Sequence, residues 1–590
     1  MVARTPTHRI RRSADTDPDS SWDVSTETID DTRGNPSDHT PFSPLTGQED
    51  QWWRHAVVYQ VYLRSFSDGN GDGQGDIAGL RARLDHVESL GVDAIWVNPW
   101  YESPLNDGGY DVADYRSIHP LFGDLGEARA LIEESRRRGI RVIADLVPNH
   151  TSSEHAWFQA ALAAPEGSVE RSRYHFRPGR GVEGERPPND WQSVFGGPAW
   201  SRVADGDWYL HLFDVTQPDL NWSNEEVREE FLSILEFWLD LGVSGFRVDV
   251  AHGKSKHPDY QDVGGVVDHL DPAWASGGHP TWDRTEVHEI VRDWRGVVDR
   301  YPGTMLVAEA WVASWDRLAR YLRPGEYHQA FDFLFLQSPW DAESMRSRVD
   351  EAVEATMSVG ATPTWALSNH DVVRHLTRYA LPGDVEAGEW LLGGDRDLLD
   401  LDLGRRRARA AVLLTMALPG SVYIYQGEEL GLPEVHDLAP QVLDDPVWRR
   451  SGHTRKGRDG CRVPIPWTRG GSSYGFGTGG SWLPQPPEWG RLSVEAQNTE
   501  KHSMLHLYRR AIDLRRRRLG ADLTFAWLQA EADALSYKHG QIVSIVNFGS
   551  RPLDLPEGEV LLLSAPLEGG RVPVDGAAWI HAPGHVSPDK

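Results

Sequence analysis

From Trp52 onward the chain repeats one pattern: a short apolar run, a polar turn, then a segment whose apolar positions recur at helical spacing. The runs at 56–62, 93–98, 141–150, 245–249, 305–309, 331–335, 364–367 and 422–425 read as strands. Segments 80–90, 128–138 and 225–241 carry the helical period. Alternation of this kind predicts a parallel sheet, and eight such units predict a closed (β/α)8 TIM barrel, an α/β fold whose functional residues gather at the carboxyl ends of the strands.

The rhythm also marks where the chain departs from the barrel. Residues 1–50 are rich in Asp, Ser, Thr and Pro without apolar period and read as a disordered tail. Residues 51–150 form the first part of the barrel. The pattern then breaks over 151–222, where Pro187-Pro188, Gly196-Gly197 and many aromatics predict an inserted lobe, domain B, after the third strand. The barrel resumes over 223–519, with a long Gly/Pro/Trp-rich loop at 427–497 that is too long for a plain connector and helical spacing at 502–519. Residues 520–590 carry β-prone runs at 523–527, 534–538, 542–546 and 560–563 and read as a small C-terminal β-sandwich.

Charge narrows the partners. Sixty Lys and Arg against 88 Asp and Glu give a net charge of −28, which argues against nucleic acid or an anionic membrane and leaves a neutral substrate unopposed. A single cysteine, Cys461, excludes an intrachain disulfide and fits a reducing, cytoplasmic setting. Arg11-Arg12 is followed by polar residues where a twin-arginine signal has an apolar region, and no run of 18 apolar residues predicts a membrane span. The 25 tryptophans serve equally as core or as flat surfaces for sugar rings.

Candidate chemistry begins at Gly245-Phe246-Arg247-Val248-Asp249, where period two aims an arginine and an aspartate at the same side of a strand. The arginine would hold the carboxylate ionised and fix its direction. Three more strand ends carry Asp145, Glu309 and Asp371, with His150 and His370 beside two of them. Carboxylates converging on one barrel mouth must perturb one another, as a division into nucleophile and proton donor requires. Asp68, Asn70, Asp72, Gln74 and Asp76 alternate with glycines, a spacing that suits a hard cation, Ca2+ or Mg2+.

Asp145-Leu146-Val147-Pro148-Asn149-His150, Gly245–Asp249, Val307-Ala308-Glu309-Ala310-Trp311 and Ser368-Asn369-His370-Asp371 resemble, in order and spacing, the four signature regions of the α-amylase family of glycoside hydrolases. Gln217-Pro218-Asp219-Leu220-Asn221 resembles the fifth region of its oligo-1,6-glucosidase and α-glucosidase branch. Val58–Tyr62, Asp107–Tyr115 and Gly457–Arg462 are similar to that branch as well, so the resemblance covers residues 52–590.

The resemblance implies a nucleophile at Asp249, an acid/base at Glu309, and Asp371 gripping the sugar's 2- and 3-hydroxyls. It implies that Arg247 orients Asp249, that His150 and His370 contact hydroxyls, and that Tyr110 stacks beneath the ring. Asp107 is expected to pair with an arginine of the late loop, Arg458 or Arg462, and to close the pocket on a terminal glucose. The 68–76 loop is expected to hold a structural Ca2+ or Mg2+, with Gln74 acting through its backbone. These expectations describe a retaining, exo-acting α-glucosidase working on short oligosaccharides, with a transglucosylase or sucrose or trehalose isomerase as the nearest alternative and a non-catalytic scaffold barrel as a remote one. The linkage hints diverge: Val250 resembles α-1,6 enzymes, while Ala251-His252-Gly253 resembles enzymes of maltose-like and sucrose-like substrates.

Overall fold

The computed structural model describes residues 51–264 and 278–581; the expected N-terminal tail lies outside them. Eight parallel strands form the barrel: β1 Val57–Val61, β2 Ala94–Val97, β3 Arg141–Leu146, β4 Gly245–Val248, β5 Met305–Ala308, β6 Gln329–Ala330, β7 Thr364–Ala366 and β8 Ser421–Tyr425. Hydrogen-bonded neighbours run β6-β5-β4-β3-β2-β1-β8-β7. Across the remaining seam the Asp332 N–H donates to the Thr364 carbonyl at 3.3 Å.

Period two decides which residues fill the barrel and which seal it to its helices. Val58, Trp96, Ile143, Met305, Val307, Ala366 and Tyr423 pack in the interior cluster. Their neighbours Val57, Tyr59, Ile95, Val97, Val142 and Leu306 join the outer cluster beneath the helices. Following the interior phase toward the carboxyl ends leads from Ile143 to Asp145, from Val307 to Glu309 and from Gly245 through Arg247 to Asp249. The apolar stack therefore ends in polar residues that point at one opening.

The surrounding helices are set by ordinary signals. α1, Leu125–Arg137, begins at a capping box in which Asp124 accepts from the Glu127 N–H and the Glu127 side chain answers. α2, Glu225–Leu241, is capped by Asn224, stopped by Gly242 in the left-handed region and buries Val227, Phe231, Ile234, Leu235 and Trp238. The expected helix over 80–90 is instead two short ones, Ile77–Ala82 and Leu84–Leu90, separated at Arg83.

The sixth strand differs from its expected position at 331–335. The strand is Gln329–Ala330, and Phe333–Leu336 forms a helical turn. Alternating Phe-Asp-Phe-Leu-Phe reads as a strand, yet Asp332 accepts from the Phe335 N–H at 2.7 Å and caps a helix there.

Between β3 and α2 the chain leaves the barrel and forms a three-stranded antiparallel sheet from Phe176–Pro178, Trp200–Arg202 and Asp207–Leu210. α3, Leu401–Met416, and α4, Met504–Arg518, close the barrel's last units. The C-terminal antiparallel sheet comprises β9 Phe525–Trp527, β10 Ala534–His539, β11 Ile542–Asn547, β12 Glu559–Leu563 and β13 Ala577–His581, ordered β9-β10-β11-β13-β12. It rests on α3, where Trp579 Nε1 donates to the Leu413 carbonyl at 2.9 Å and the Tyr537 hydroxyl donates to that of Leu414. No described helix is long and apolar enough to cross a membrane.

Candidate active site

Three strand ends converge on one guanidinium. Gly245 has φ +141°, and a Cβ there would lie 2.0 Å from the Met305 carbonyl, so only glycine lets β4 start this close to β5. Two residues on, Arg247 donates from Nη1 to Asp249 Oδ1 at 2.6 Å and to Asp145 Oδ1 at 3.0 Å. Its Nη2 lies 3.1 Å from Glu309 Oε2. Burial works against the charge on Arg247, but Asp145, Glu309 and Asp249 outweigh it and hold the guanidinium charged.

Backbone strain completes the placement of Glu309. Val250 follows Asp249 with φ +41°, a left-handed conformation that a β-branched residue rarely adopts. This turn directs the Val250 N–H at Glu309 Oε2, 2.8 Å away, while Trp311 Nε1 donates to Glu309 Oε1 at 2.9 Å. Trp311 is in turn stacked flat on Phe333, with centroids 3.9 Å apart and planes within 1°. The helical turn that replaces the expected strand thus supports the tryptophan that orients Glu309.

A second set of contacts gathers around Asp371. Arg458 donates from Nη1 to Asp371 Oδ1 and Arg462 from Nη2 to the same oxygen, both at 3.1 Å. Arg458 also reaches Asp107 Oδ1 at 2.6 Å from Nη2, so it is Arg458 that pairs with Asp107. Arg462 turns the other way, its Nε donating to the His370 carbonyl at 2.9 Å. Asp445 holds Arg458 in this pose by accepting from its Nε at 2.6 Å. Gln217 donates to the other oxygen of Asp107 at 3.0 Å and ties the lobe's exit segment to this corner.

Tyr110 and His370 join the two sets. Gln60 Nε2 donates to His370 Nδ1 at 2.7 Å, which leaves the proton on Nε2, facing the Tyr110 oxygen at 2.7 Å and Asp371 Oδ2 at 3.2 Å. The Tyr110 hydroxyl donates to Asp145 Oδ2 at 2.9 Å, and its ring stacks on His370 at 5.3 Å and 7°. Tyr110 is therefore held within the wall as well as bordering the opening. His150 donates from Nε2 to the Tyr110 carbonyl at 3.0 Å.

The electrostatics separate these acids. Burial raises Asp249 well above the ordinary carboxylate range; Arg247 opposes the rise, and Glu309 and Asp145 reinforce it. Burial likewise lifts Asp145 to about 6 against the pull of Arg247. Three carboxylates around one guanidinium cannot all ionise without strong repulsion, so the cluster retains a proton. Asp371 behaves oppositely: burial would raise it, but His370, Arg458 and Arg462 bring it below the ordinary range. Burial keeps His370 itself neutral, so the arginines carry that effect. Burial also lowers His150 to about 4, leaving it neutral near pH 7.

Asp107, Tyr110, His150, Asp249, Glu309 and Asp371 all border one cavity of about 1340 Å³. Phe195 and Phe213 of the lobe, with Trp282, contribute apolar wall. Arg247, His370 and Arg462 lie immediately behind the polar lining, each making the contacts described above.

The 68–76 loop stands apart from this cavity. Asp68 accepts from the N–H groups of Asn70, Gly71 and Gly73 at 3.1, 2.6 and 3.0 Å, and Asp76 caps the following helix through Gly79. A Cβ on Gly479 would sit 1.9 Å from the Gly71 carbonyl and one on Gly477 would sit 2.1 Å from Asp68 Oδ2, so the late loop clasps this turn through glycines. Gln74 Oε1 accepts from Arg64 Nε at 2.6 Å. The set is all oxygen, which suits a hard cation. Among the described residues no group of three or more acidic, imidazole or thiol side chains could hold a metal ion. A cation here would draw on Asp68, Asn70 and Asp72 together with backbone carbonyls.

Sequence reasoning missed Asp445, the backbone of Val250 and the phenylalanine behind Glu309, and Trp311 was visible only as the last letter of its motif. Gln217 was visible only as a letter of a motif. No local signal marks Asp445, because its partner Arg458 lies across a loop; Val250 was visible as a specificity hint but not as a strained turn.

Residues 60–521 match the family model described as the alpha-amylase catalytic domain. The chain is 34% identical over 500 residues to an oligo-1,6-glucosidase of Parageobacillus thermoglucosidasius, covering 79% of this chain and 84% of that protein. It is 35% identical over 487 residues to a probable alpha-glucosidase of Rhizobium meliloti (strain 1021), covering 80% and 84%. Among solved structures it resembles an alpha-glucosyl transfer enzyme with TM-score 0.77 and 34% identity, over 90% of this chain and 99% of that one. The trehalulose synthase of Pseudomonas mesoacidophila MX-45 gives TM-score 0.77 at 28% identity, over 90% and 99%.

Proposed function

Because the chain belongs to the α-amylase family of glycoside hydrolases, we propose that it is a retaining, exo-acting α-glucosidase that removes terminal, non-reducing α-linked glucose from short oligosaccharides. The observation that carries the reading is Arg247, which holds Asp249 and Glu309 on two nitrogens of one guanidinium beside a shared cavity.

In the first step Asp249 attacks the anomeric carbon, the glucosidic C–O bond breaks, and Glu309 gives its proton to the departing oxygen. Arg247 supports both halves by position: its Nη1 fixes the direction of Asp249 and opposes the rise that burial imposes on it, and its Nη2 holds Glu309 beside the same cavity. In the second step Glu309 takes a proton from water as the water oxygen attacks the glucosyl-enzyme, and Asp249 departs as carboxylate. Asp371, kept ionised by its two arginines, binds the sugar's ring hydroxyls and tightens as the ring flattens. Asp107, anchored by Arg458 and Gln217, binds the terminal glucose and ends the pocket at that wall. Proton NMR of freshly released glucose tests this: α-glucose first supports the reading, whereas β-glucose first or release of internal fragments defeats it.

Glucosyl transfer to a sugar would use the same first step, and the solved alpha-glucosyl transfer enzyme and trehalulose synthase share the fold. Separate incubations with maltose, isomaltose, sucrose and trehalose distinguish hydrolysis from transfer or isomerisation and rank the linkages.

The 68–76 loop is assigned a structural Ca2+ or Mg2+ on its oxygen donors. Added Ca2+ or Mg2+ is expected to raise the melting temperature relative to chelator, by an increment that grows with metal concentration. Asp68→Asn combined with Asp72→Asn should abolish that increment with little change in kcat. A melting curve indifferent to metal and chelator removes the assignment.

A further inference from the structure

Four side chains from four segments close a ring of hydrogen bonds behind the cavity wall. Gln60 lies in β1, Asn98 follows β2, Tyr110 lies in the loop beyond it, and His370 follows β7. Gln60 Nε2 is 2.7 Å from His370 Nδ1 and 3.1 Å from Asn98 Oδ1, and the Tyr110 oxygen is 2.7 Å from both Asn98 Nδ2 and His370 Nε2. All four residues are 3% exposed or less. The ring opens onto two carboxylates: Asp145 Oδ2 is 2.9 Å from the Tyr110 oxygen, and Asp371 Oδ2 is 3.2 Å from His370 Nε2.

Counting hydrogens fixes the direction of every bond in the ring. The two N–H bonds of the Gln60 amide serve His370 Nδ1 and Asn98 Oδ1, so the imidazole proton stands on Nε2 and Asn98 turns its own N–H to Tyr110. The Tyr110 oxygen then accepts from Asn98 and His370 and donates to Asp145, which places one hydrogen in each of its three short contacts. Turning over one amide alone would set two oxygens or two amino groups against each other across the 3.1 Å gap between Gln60 and Asn98. With the imidazole neutral, as burial holds it, turning over both would leave Tyr110 a single hydrogen for three acceptors, Asn98 Oδ1, His370 Nε2 and Asp145 Oδ2. Unfilled contacts between buried acceptors are costly, so the ring runs one way.

We propose that Gln60 and Asn98 are positioning residues for the glucosidase reaction: they drive this ring in one sense, so that His370 presents an N–H to Asp371 and Tyr110 presents an O–H to Asp145. The inference rests on the α-glucosidase reading and deepens it. Asp371 is thereby kept an acceptor toward the sugar's hydroxyls. Tyr110, whose hydrogen and lone pairs are all engaged inside the wall, shows the cavity only its ring. Neither Gln60 nor Asn98 borders the cavity, so each acts through the side chains it orients.

The test uses the full-length protein with 15N-labelled histidine, His370 being assigned by the signals lost in His370→Ala. In the parent protein Nδ1 of His370 is expected to resonate as a bare, pyridine-type nitrogen and Nε2 as a protonated one. Gln60→Glu replaces the donor by an acceptor of the same shape and should place a proton on Nδ1. That variant should also lower kcat on p-nitrophenyl α-glucoside by about tenfold or more with KM within about threefold, because Asp371 binds most tightly as the sugar ring flattens. Asn98→Asp, which offers Tyr110 a competing acceptor, should lower kcat in the same way. Gln60→Leu should cost several-fold in the parent but less than about twofold in a His370→Ala background, since the two residues act as a unit. The proposal is overturned by a protonated Nδ1 in the parent, by a Gln60→Glu protein whose Nδ1 stays bare or whose kcat is unchanged, or by losses that simply add in the double variant. Should Gln60→Leu fail to fold, the spectrum of Gln60→Glu still decides. A parent protein inactive toward the aryl glucoside counts instead against the glucosidase reading, and the spectra then decide the sense of the ring on their own.

Discussion

Glu428 and Glu429 follow β8 on the outer side of the barrel wall and are buried as deeply as Asp249 and Glu309, with exposures of 4% and 0% against 6% and 7%. Their partners differ in kind. The Tyr508 hydroxyl donates to Glu428 at 2.9 Å, and the Tyr59 hydroxyl and the Gly427 N–H donate to Glu429, each at 2.8 Å. At the barrel mouth the donors to the carboxylates include Arg247, Arg458 and Arg462. Burial pushes Glu428 up to about 8 against the bonds from Tyr508 and the Tyr425 N–H and the more distant charge of Arg374, with Glu429 reinforcing the rise. Asp371, also buried, is driven the other way by its arginines. Burial therefore does not make a carboxylate reactive. What distinguishes the mouth is permanent charge among the donors and a cavity on the other side, which together let one acid stay ionised while its neighbour keeps a proton.

The sharpest way to break this comparison is to neutralise one acid in each group. Asp249→Asn or Glu309→Gln is expected to lower kcat by about 10³-fold or more on an aryl α-glucoside with an unactivated leaving group. Glu428→Gln should leave kcat within about twofold. If both groups responded alike, the arginine-bearing cluster would have no special standing. The pH profile of kcat/KM adds a second reading. Activity should fall on the acid side as Asp249, lifted by burial above the ordinary carboxylate range, takes up a proton and ceases to be a nucleophile.

A smaller effect is expected at the closed end of the pocket. Arg458 joins Asp107, Asp371 and Asp445, so Arg458→Met leaves three carboxylates without their shared cation. The expected result is a loss of about 10²-fold in kcat/KM for disaccharides, mostly in KM, because the contacts it supports hold the terminal glucose rather than the bond being broken. Asp445→Asn should reproduce part of that loss although Asp445 is not among the residues bordering the cavity. A change confined to kcat would place Arg458 in the chemical step instead.

Much of this was legible along the chain. The period-two phase that fills the barrel with Val58, Trp96, Ile143 and Val307 is the phase that delivers Gln60, Asn98, Asp145 and Glu309, so a reader who locates the strands also locates the site. What escaped depends on distance or on local competition. Residues 331–335 alternate like a strand, but a short polar side chain able to bond its own backbone, Asp332, tipped them into a helical turn. β13 carries two alanines at its start and was not recognised, though it lies between β11 and β12 in the C-terminal sheet. The choice between Arg458 and Arg462 could not be read from spacing, since both reach Asp371 and only Asp445 turns one of them toward Asp107.

The smallest expected effect sharpens the outer group itself. Burial holds Glu428 protonated in the folded protein up to about pH 8, whereas an ordinary glutamic acid ionises near 4.5. Folding thus takes up a proton at this site. The stabilisation is complete below the ordinary value and is lost as pH rises through about 8, because the unfolded chain gains by ionising and the folded one does not. For the parent protein this contribution should fall by about 2 kcal/mol between pH 6 and pH 8. Glu428→Gln removes the titrating group but keeps a side chain that can accept from Tyr508, so its stability should decline less over the same interval. Denaturant titrations of both proteins at pH 6 and pH 8 measure the difference directly. Parallel declines would mean that Glu428 is ionised in the folded state, and the contrast between neutral and charged donors would lose its basis.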